Sequence, residues 1–385
     1  MAATAVPQDR LEDPVAGGLV AAIPATALVY VVVNVGDGDC QLLLLPADAT
    51  GRRKLVVVDV IRASKLQALV AAFDRAGVLG PDGPRAELVV ATHPHADHIR
   101  GVPTILDAYA PSAPDAGAPE VWEPGYRHMS GMYLDILDRV AAHGLRRTIV
   151  TAGMTRYIGQ TRITVLAPAT ALQRRFDSYG VDINNASVCL KVDYPATRVV
   201  REASGMGVTH SFIDEAVGST LVLGADAQML SWSNVLVDFP QLGPERTVVT
   251  EALQIAGGTT PLSAHVFKVP HHGSKHGLTL ELVEHVAPSV SIVSSVRSGG
   301  KYQFPHEVAI AQLREAVNAI ATKPTEEHEP DEDLALLFTG SAVDPTGEPA
   351  GSVCVICPVA GRRQFWRLMD SPEADIDLDR ARKVV

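Results

Sequence analysis

Thr92-His93-Pro94-His95-Ala96-Asp97-His98 follows directly on Leu88-Val89-Val90-Ala91, a run that reads as a buried strand. Three imidazoles and one carboxylate therefore leave the end of a strand within one short turn. The strand fixes the backbone and the turn fans the side chains outward, so their nitrogen and oxygen atoms can converge without help from distant chain. Histidine nitrogen and carboxylate oxygen are the ligands of zinc sites that keep a position open for water. A polar surface turn that happens to be rich in histidine is the plainer reading. With 13 His in 385 residues, three within six positions weigh against chance.

Outward from this turn, three further motifs follow strand-like runs. Asp226 ends Leu221-Val-Leu-Gly-Ala-Asp226, where one carboxylate can project into a cleft, although alone it reads as a turn or N-cap aspartate. His271-His272-Gly273-Ser274 follows Val266–Val269 and Pro270. Adjacent histidines diverge, so at most one is expected on a given metal and the other faces substrate. Phe304-Pro305-His306 is the third. Each is weak alone, and their order after the histidine turn gives the joint case its force.

Apolar runs and turn residues predict strands at 28–35, 40–46, 54–60, 87–92, 120–123, 147–150, 162–166, 188–194, 219–223, 265–269, 290–295, 334–339, 352–357 and 364–368. Helical spacing predicts helices at 64–77, 102–109, 130–143, 278–286 and 307–320. A polar insert at about 198–218 is expected to be mobile, and Thr325–Asp333 is a charged loop. Two series of strands, each followed by helices, suit an α+β two-sheet sandwich flanked by helices better than a doubly wound sheet, which would alternate strictly.

The bulk composition narrows the partners. A net charge of −11 argues against a large basic surface for duplex nucleic acid. Aromatic content of 5% argues against extended single-strand stacking platforms. Cys40, Cys189, Cys354 and Cys357 lie mostly in apolar runs and read as buried thiols of a reducing compartment. The Cys354-Val-Ile-Cys357 spacing has no second pair, so core cysteines are the better reading than a metal knuckle. The N-terminus lacks a cationic signal region, and Gly17-Gly18 and Pro24 interrupt the apolar stretch at 15–33, so no membrane span and a cytoplasmic location are expected.

His93-x-His95-x-Asp97-His98, then Asp226, then a later histidine, resembles the metallo-β-lactamase superfamily. More narrowly, Asn34-Val-Gly-Asp-Gly-Asp39, Val58-Asp59, Asn184-Asn185-Ala-Ser187, Gly224-Ala-Asp226-Ala, Lys268-Val-Pro-His-His-Gly-Ser274 and Tyr302-Gln-Phe-Pro-His306 resemble the hydrolase domain of bacterial DNA-uptake competence proteins. The resemblance covers about residues 28–320. It implies a four-layer αββα sandwich, expected over 25–322; outside the resemblance, a leader is expected at 1–24 and a C-terminal β extension at 323–385 packed on the same domain. It also implies two divalent ions, zinc expected and manganese the alternative. His93 and His95 would hold one, Asp97, His98 and His272 the other, and Asp226 both, with a shared hydroxide as nucleophile. Asp39 and Asp59 would orient the ligand imidazoles, and Asn184 and Asn185 would stand in the same supporting layer.

Departures are equally specific. Superfamily members with a complete first site carry another histidine between the turn motif and the shared aspartate, where this chain has Asn184-Asn185. Amide oxygen is a poorer zinc ligand; His128 is the one histidine nearby that could substitute, and a substrate-facing or surface role is its better reading. Asp59-Val60-Ile61 replaces the usual Asp-Thr-Gly, and Gln228 stands where an acidic residue is common.

The favoured reaction is phosphodiester hydrolysis on a nucleotide or nucleic acid. Lys275, Lys301 and Tyr302, with His128, are candidates for substrate binding, Asp97 is a candidate in the chemistry, and His271 or His306 could protonate the leaving oxygen. Hydrolysis of a carboxylic ester, lactone or β-lactam is the alternative reaction, and a non-catalytic partner-binding or sensing role the alternative class. A protein partner and the oligomeric state are left open.

Overall fold

The computed structural model describes residues 18–384 apart from 82, 110–117, 126–129, 174–182, 197, 205–206, 214–216, 239–261, 296–302, 323–334, 341–350 and 374. The described residues open with a one-turn helix, Gly18–Ala21, followed by six strands that share a sheet: β1 (Leu28–Val32), β2 (Cys40–Leu44), β3 (Leu55–Val60), β4 (Ala86–Val90), β5 (Glu120–Glu123) and β6 (Arg146–Ile149). A second sheet takes β7 (Thr155–Ile158), β8 (Thr161–Ala167) and β9 (Cys189–Tyr194). After a separate hairpin of β10 (Arg198–Ser204) and β11 (Gly207–Ile213), it adds β12 (Ser219–Leu223), β13 (Val266–Lys268), β14 (Val290–Val293) and β15 (Ala335–Phe338). The chain then returns to the first sheet with β16 (Val353–Cys357), β17 (Gln364–Arg367) and β18 (Arg382–Val384).

The first sheet runs β18-β17-β16-β1-β2-β3-β4-β5-β6 and the second β15-β14-β13-β12-β9-β8-β7. Strands β1, β2 and β3 are buried along their whole length and, apart from Gln41 and Asp59, apolar instead of alternating. That pattern means both faces of the sheet are covered. One face packs the helix Ala63–Arg75, through Leu66, Leu69, Val70 and Phe73, and the helix Gly131–Ala142, through Tyr133, Ile136 and Val140. The other face, with Tyr30, Leu43, Val56, Val58 and Val90, meets Val165, Leu190, Leu221, Val266 and Ile292 of the second sheet. The outer face of that sheet, with Val222, Phe267 and Val293, is capped by Trp232, Leu282, Val283 and Leu313 from three more helices. Three apolar layers between four layers of secondary structure make an αββα sandwich, the architecture the sequence predicts.

Two segments have a defined place in the strand pairing. Residues 198–213, expected as a mobile polar insert, pair as an antiparallel ribbon from Arg198↔Ile213 to Ser204↔Gly207. The segment expected as a C-terminal extension supplies β15 to one sheet and β16 beside β1 near the middle of the other. It is pinned there by polar groups: the Asn34 backbone N–H donates to Ser352 Oγ at 2.8 Å, and Lys65 Nζ pairs with buried Asp370 at 2.8 Å. The four cysteines are buried and free, with their thiols pushed up by burial. Among the described residues no helix is long and apolar enough to cross a membrane. The charged loop Thr325–Asp333 lies outside the described residues.

Candidate metal centre

Strands β3 and β4 run parallel, as do β12, β13 and β14, so their carboxyl ends gather at one edge of the sandwich. That is the edge where α/β sheets place ligand sites, because loops leaving several strands meet there. Asp59 ends β3, the histidine turn follows β4, Asp226 follows β12, and His271 and His272 follow β13. The short helix Ala96–Ile99 takes the turn away from the cleft. Gly38, with φ +130°, lets the β1–β2 loop close on this turn: an added Cβ would lie 2.8 Å from the Asp97 carbonyl oxygen, and the Asp39 N–H donates to that same oxygen at 3.0 Å.

Two sets of ligand atoms, each within 4.8 Å of one another, share one carboxylate: Asp97, His98, Asp226 and His272 in the first, His93, His95 and Asp226 in the second. Asp226 divides its oxygens between them. Its Oδ1 lies 3.2 Å from His98 Nε2 and 3.7 Å from His272 Nε2, and its Oδ2 lies 3.8 Å from His93 Nε2. His272 Nε2 stands 3.9 Å from Asp97 Oδ2, and His93 Nε2 stands 3.0 Å from His95 Nδ1. Donors bound at about 2.0–2.2 Å around one cation stand roughly 3–4 Å apart, so these spacings fit.

A stronger test of fit is what the buried atoms lack. His98 Nε2, His272 Nε2 and Asp226 Oδ1 are all buried without an aligned hydrogen-bond partner, although they face one another. Orphaned buried polar atoms are costly. Three of them converging on one point, with a carboxylate at the rim, is the donor set of a divalent cation. The residues present therefore fit a metal at this position.

The other nitrogen of each ring is held from behind. His98 Nδ1 donates to Asp59 Oδ2 at 2.7 Å, and Asp59 also accepts the Thr92 N–H at 2.8 Å and the Thr92 hydroxyl at 2.6 Å. Asp59 reaches all three from a left-handed backbone (φ +53°), at the position where the sequence departs from Asp-Thr-Gly. His272 Nδ1 lies 3.0 Å from both the Ser294 carbonyl and hydroxyl oxygens. Asp39 is placed differently from the expectation. Its hydrogen bond goes to Lys268 Nζ at 2.5 Å, while the His98 and His272 Nδ1 atoms stand off at 3.9 and 3.7 Å. Asp39 therefore acts on the rings through space and does not accept their N–H.

Electrostatics follow the same geometry. Burial would raise the Asp226 carboxyl, but facing His98 and His272 hold it well below the ordinary carboxylate range. Burial likewise disfavours a His98 cation, and Asp226 and Asp59 outweigh it, so this imidazole titrates well above its usual value. His93 is the opposite case: burial, reinforced by His98, drives it well below. Burial keeps Asp59 raised.

Other predicted site residues fall around this centre. Asn185 Oδ1 accepts the Ser231 N–H at 3.1 Å, in the first turn of the helix Met229–Asp238 that the sequence reading missed. Asn184 is buried beside it, on a segment joined to the histidine turn by the Val188 N–H donating to the Thr92 carbonyl at 2.9 Å. Lys275 is exposed, and its backbone N–H donates to His306 Nδ1 at 3.1 Å. The Phe304 ring contacts His271, His272 and His306, with centroids 5.2, 6.0 and 5.2 Å away. His128, Lys301 and Tyr302 lie outside the described residues. Lys268 and Ser294 were missed; Lys268 opens the Lys-Val-Pro-His-His motif, whereas nothing local marks Ser294.

Asp59→Asn keeps the size of the side chain but gives an amide in place of the charged acceptor of His98 N–H and Thr92. Loss of such a supporting carboxylate costs about 10–100-fold in metal affinity. Calorimetric titration of the metal-free protein should show that weakening, and an unchanged affinity would separate Asp59 from the site.

No family model and no curated protein matches the chain. Among solved structures it is similar to CmlA, a diiron β-hydroxylase from Streptomyces venezuelae (11% identity, TM-score 0.37, covering 81% of this chain and 53% of that one). It is also similar to the metallo-β-lactamase fold protein YhfI from Bacillus subtilis (12%, 0.36, 85% and 98%) and to human tRNase Z, short form (9%, 0.32, 70% and 92%). The chain thus spans about half the length of the β-hydroxylase. These likenesses assign no chemistry, which rests on the side chains described above.

Proposed function

We propose that this chain is a dinuclear metal-dependent hydrolase of a phosphodiester, in a nucleotide or nucleic acid, with zinc the expected ion and manganese the alternative. The observation that carries the reading is Asp226, whose two oxygens face two separate sets of imidazoles. A carboxylate so placed can hold two cations close together. Two divalent ions bound there supply Lewis acidity and an activated water near neutral pH.

The chain's own groups then have defined tasks. His93, His95, His98, Asp97 and His272 are the remaining ligands, and Asp59 and Ser294 fix the rings of His98 and His272 before substrate arrives. Asp97, with its side chain 40% exposed, is the ligand that opens to the cleft. Lys275 stands exposed beside the His-His-Gly motif, where its ammonium can meet a phosphoryl oxygen. His306, its Nδ1 occupied as an acceptor, carries its proton on Nε2 and offers it as a hydrogen-bond donor toward a leaving oxygen. Partial burial and the nearby Lys275 and His276 hold this ring below its usual value, which keeps it neutral.

The test is turnover of bis(p-nitrophenyl) phosphate and short oligonucleotides with added Zn²⁺ or Mn²⁺. Cleavage by the wild type, lost in Asp97→Ala, is the expected result. Absence of cleavage in both proteins removes the phosphodiester assignment, and turnover of a lactone or nitrocefin instead moves the chain to carbonyl chemistry.

A further inference from the structure

We infer that His271, through Nε2, is the missing ligand of the cation held by His93 and His95, with Gln228 fixing its other nitrogen. The inference rests on the dinuclear reading above and deepens it.

The His93–His95–Asp226 set is one protein donor short of the four-residue set beside it. The sequence places the deficit at Asn184-Asn185. Asn185 does not make it good, because its carboxamide oxygen is spent on the Ser231 N–H. His271 stands on the right side. Its Nε2 lies 3.7 Å from Asp226 Oδ2, the oxygen that His93 Nε2 faces at 3.8 Å, and not the one that faces His98 and His272. Both distances to Asp226 match donors around one cation; the His271 ring stands outside the 4.8 Å cluster of His93, His95 and Asp226 and would close on it when the cation binds.

The backbone shows how adjacent histidines, which would normally diverge, reach one carboxylate from two sides. His271 and His272 both adopt left-handed angles (φ 49° and 52°). Such conformations are costly for non-glycine residues and persist where the surroundings impose them. Here Gly273 lets the turn close: with φ +80°, an added Cβ would lie 2.6 Å from Pro305 Cβ. The His271 N–H is tied to the Ala225 carbonyl at 2.8 Å, next to Asp226 itself. The strained pair delivers one imidazole to each oxygen of Asp226.

His271 Nδ1 lies 3.4 Å from Gln228 Nε2. A ligand imidazole bound through Nε2 must carry its proton on Nδ1, and its partner must accept. A half-turn of the Gln228 carboxamide exchanges Nε2 for Oε1 at that position, and in this orientation Gln228 accepts the ring N–H. A glutamine at this position thus has a task that an exposed turn residue would not. The assignment replaces the expectation that His271 is a proton donor, since a metal-bound Nε2 has no proton to give.

Metal stoichiometry and affinity decide it. The full chain is stripped with chelator and titrated with Co²⁺, following heat and the visible d–d bands, for wild type, His271→Ala, His271→Gln and His272→Ala, with far-UV circular dichroism as the fold control. Expected are two ions for wild type and one tight ion for both His271 variants. His272→Ala should disturb the other ion and a different set of bands. Gln228→Leu should weaken one ion by about 10–100-fold and Gln228→Glu restore it. Two ions with unaltered affinities and bands in His271→Gln overturn the inference while leaving the dinuclear reading intact. Fewer than about one ion in the wild type overturns both.

Discussion

Asp226→Ala is expected to empty both metal positions at once, leaving fewer than about one ion per chain and reducing turnover on the order of 10³-fold or more. The reason is geometric. One carboxylate faces four imidazoles, through Oδ1 to His98 and His272 and through Oδ2 to His93 and His271, at 3.2–3.8 Å. Cation binding contributes several kcal/mol of transition-state charge stabilisation, and each 1.36 kcal/mol is tenfold in rate. The fold should survive, because the turn after β12 is held by backbone bonds, Ala227 N–H to Gly224 carbonyl and His271 N–H to Ala225 carbonyl. Mass spectrometry of the bound metal with a parallel rate assay checks both parts. Asp226→Asn keeps the shape without the charge and should fail in the same way. A variant that retains two ions would remove Asp226 from the centre and with it the proposed chemistry.

How much of this centre is legible in the sequence depends on how local each contact is. The histidine turn is legible because four donors leave one strand end within six residues, so spacing alone brings them together. Asp226 and His272 are legible because a polar residue directly after an apolar run sits at a strand end, and strand ends of parallel sheets share an edge. The helices Ala63–Arg75 and Gly131–Ala142 are legible from their apolar spacing, and the αββα order from the sequence of strands and helices. What is not legible depends on pairings between distant residues. Asn185 caps a helix 46 residues away, Ser294 holds His272 from 22 residues away, and Lys268 meets Asp39 across 229. No local pattern encodes such partners, because each half of the contact reads as an ordinary polar residue. The placement of β16 beside β1 is of the same kind: its apolar run identifies a strand but not its neighbour. The β10–β11 ribbon is hard to read as strands because polar and apolar residues are evenly mixed in it without regular alternation, although Val199, Val200, Val208, Phe212 and Ile213 carry the β-branched and aromatic signal of strands.

Lys268→Met should destabilise the metal-free protein by roughly 3–5 kcal/mol, the cost of leaving one member of a buried ion pair without its partner. Lys268 Nζ and Asp39 Oδ2 are 2.5 Å apart and both side chains are 0% exposed. Asp39 Oδ1 already lacks a hydrogen-bond partner, so loss of the ammonium strands the carboxylate in the sandwich, with the His98 and His272 imidazoles standing off at 3.9 and 3.7 Å. Burial works to raise Asp39, and Lys268 is the first of the charges that reverse this and hold it below 3.8. The sign of the pH dependence follows. A depressed carboxyl contributes stability that is present above its unfolded value, about 3.9, and lost as pH falls through the folded one. Without Lys268 burial is left to push the carboxyl above its usual value, so the variant sheds its penalty by protonating as pH falls, and the gap from wild type should be widest near neutrality, narrow toward pH 4 and shrink further below it. Lys268→Met combined with Asp39→Leu replaces the pair by apolar side chains and should recover most of the loss, since such swaps are often neutral or stabilising. Urea unfolding of the four proteins in a double-mutant cycle, repeated at neutral and mildly acidic pH, gives the coupling directly. Additive losses with no pH dependence would mean that Lys268 acts by packing alone, and that Asp39 owes its charge beneath the metal centre to something other than this ammonium.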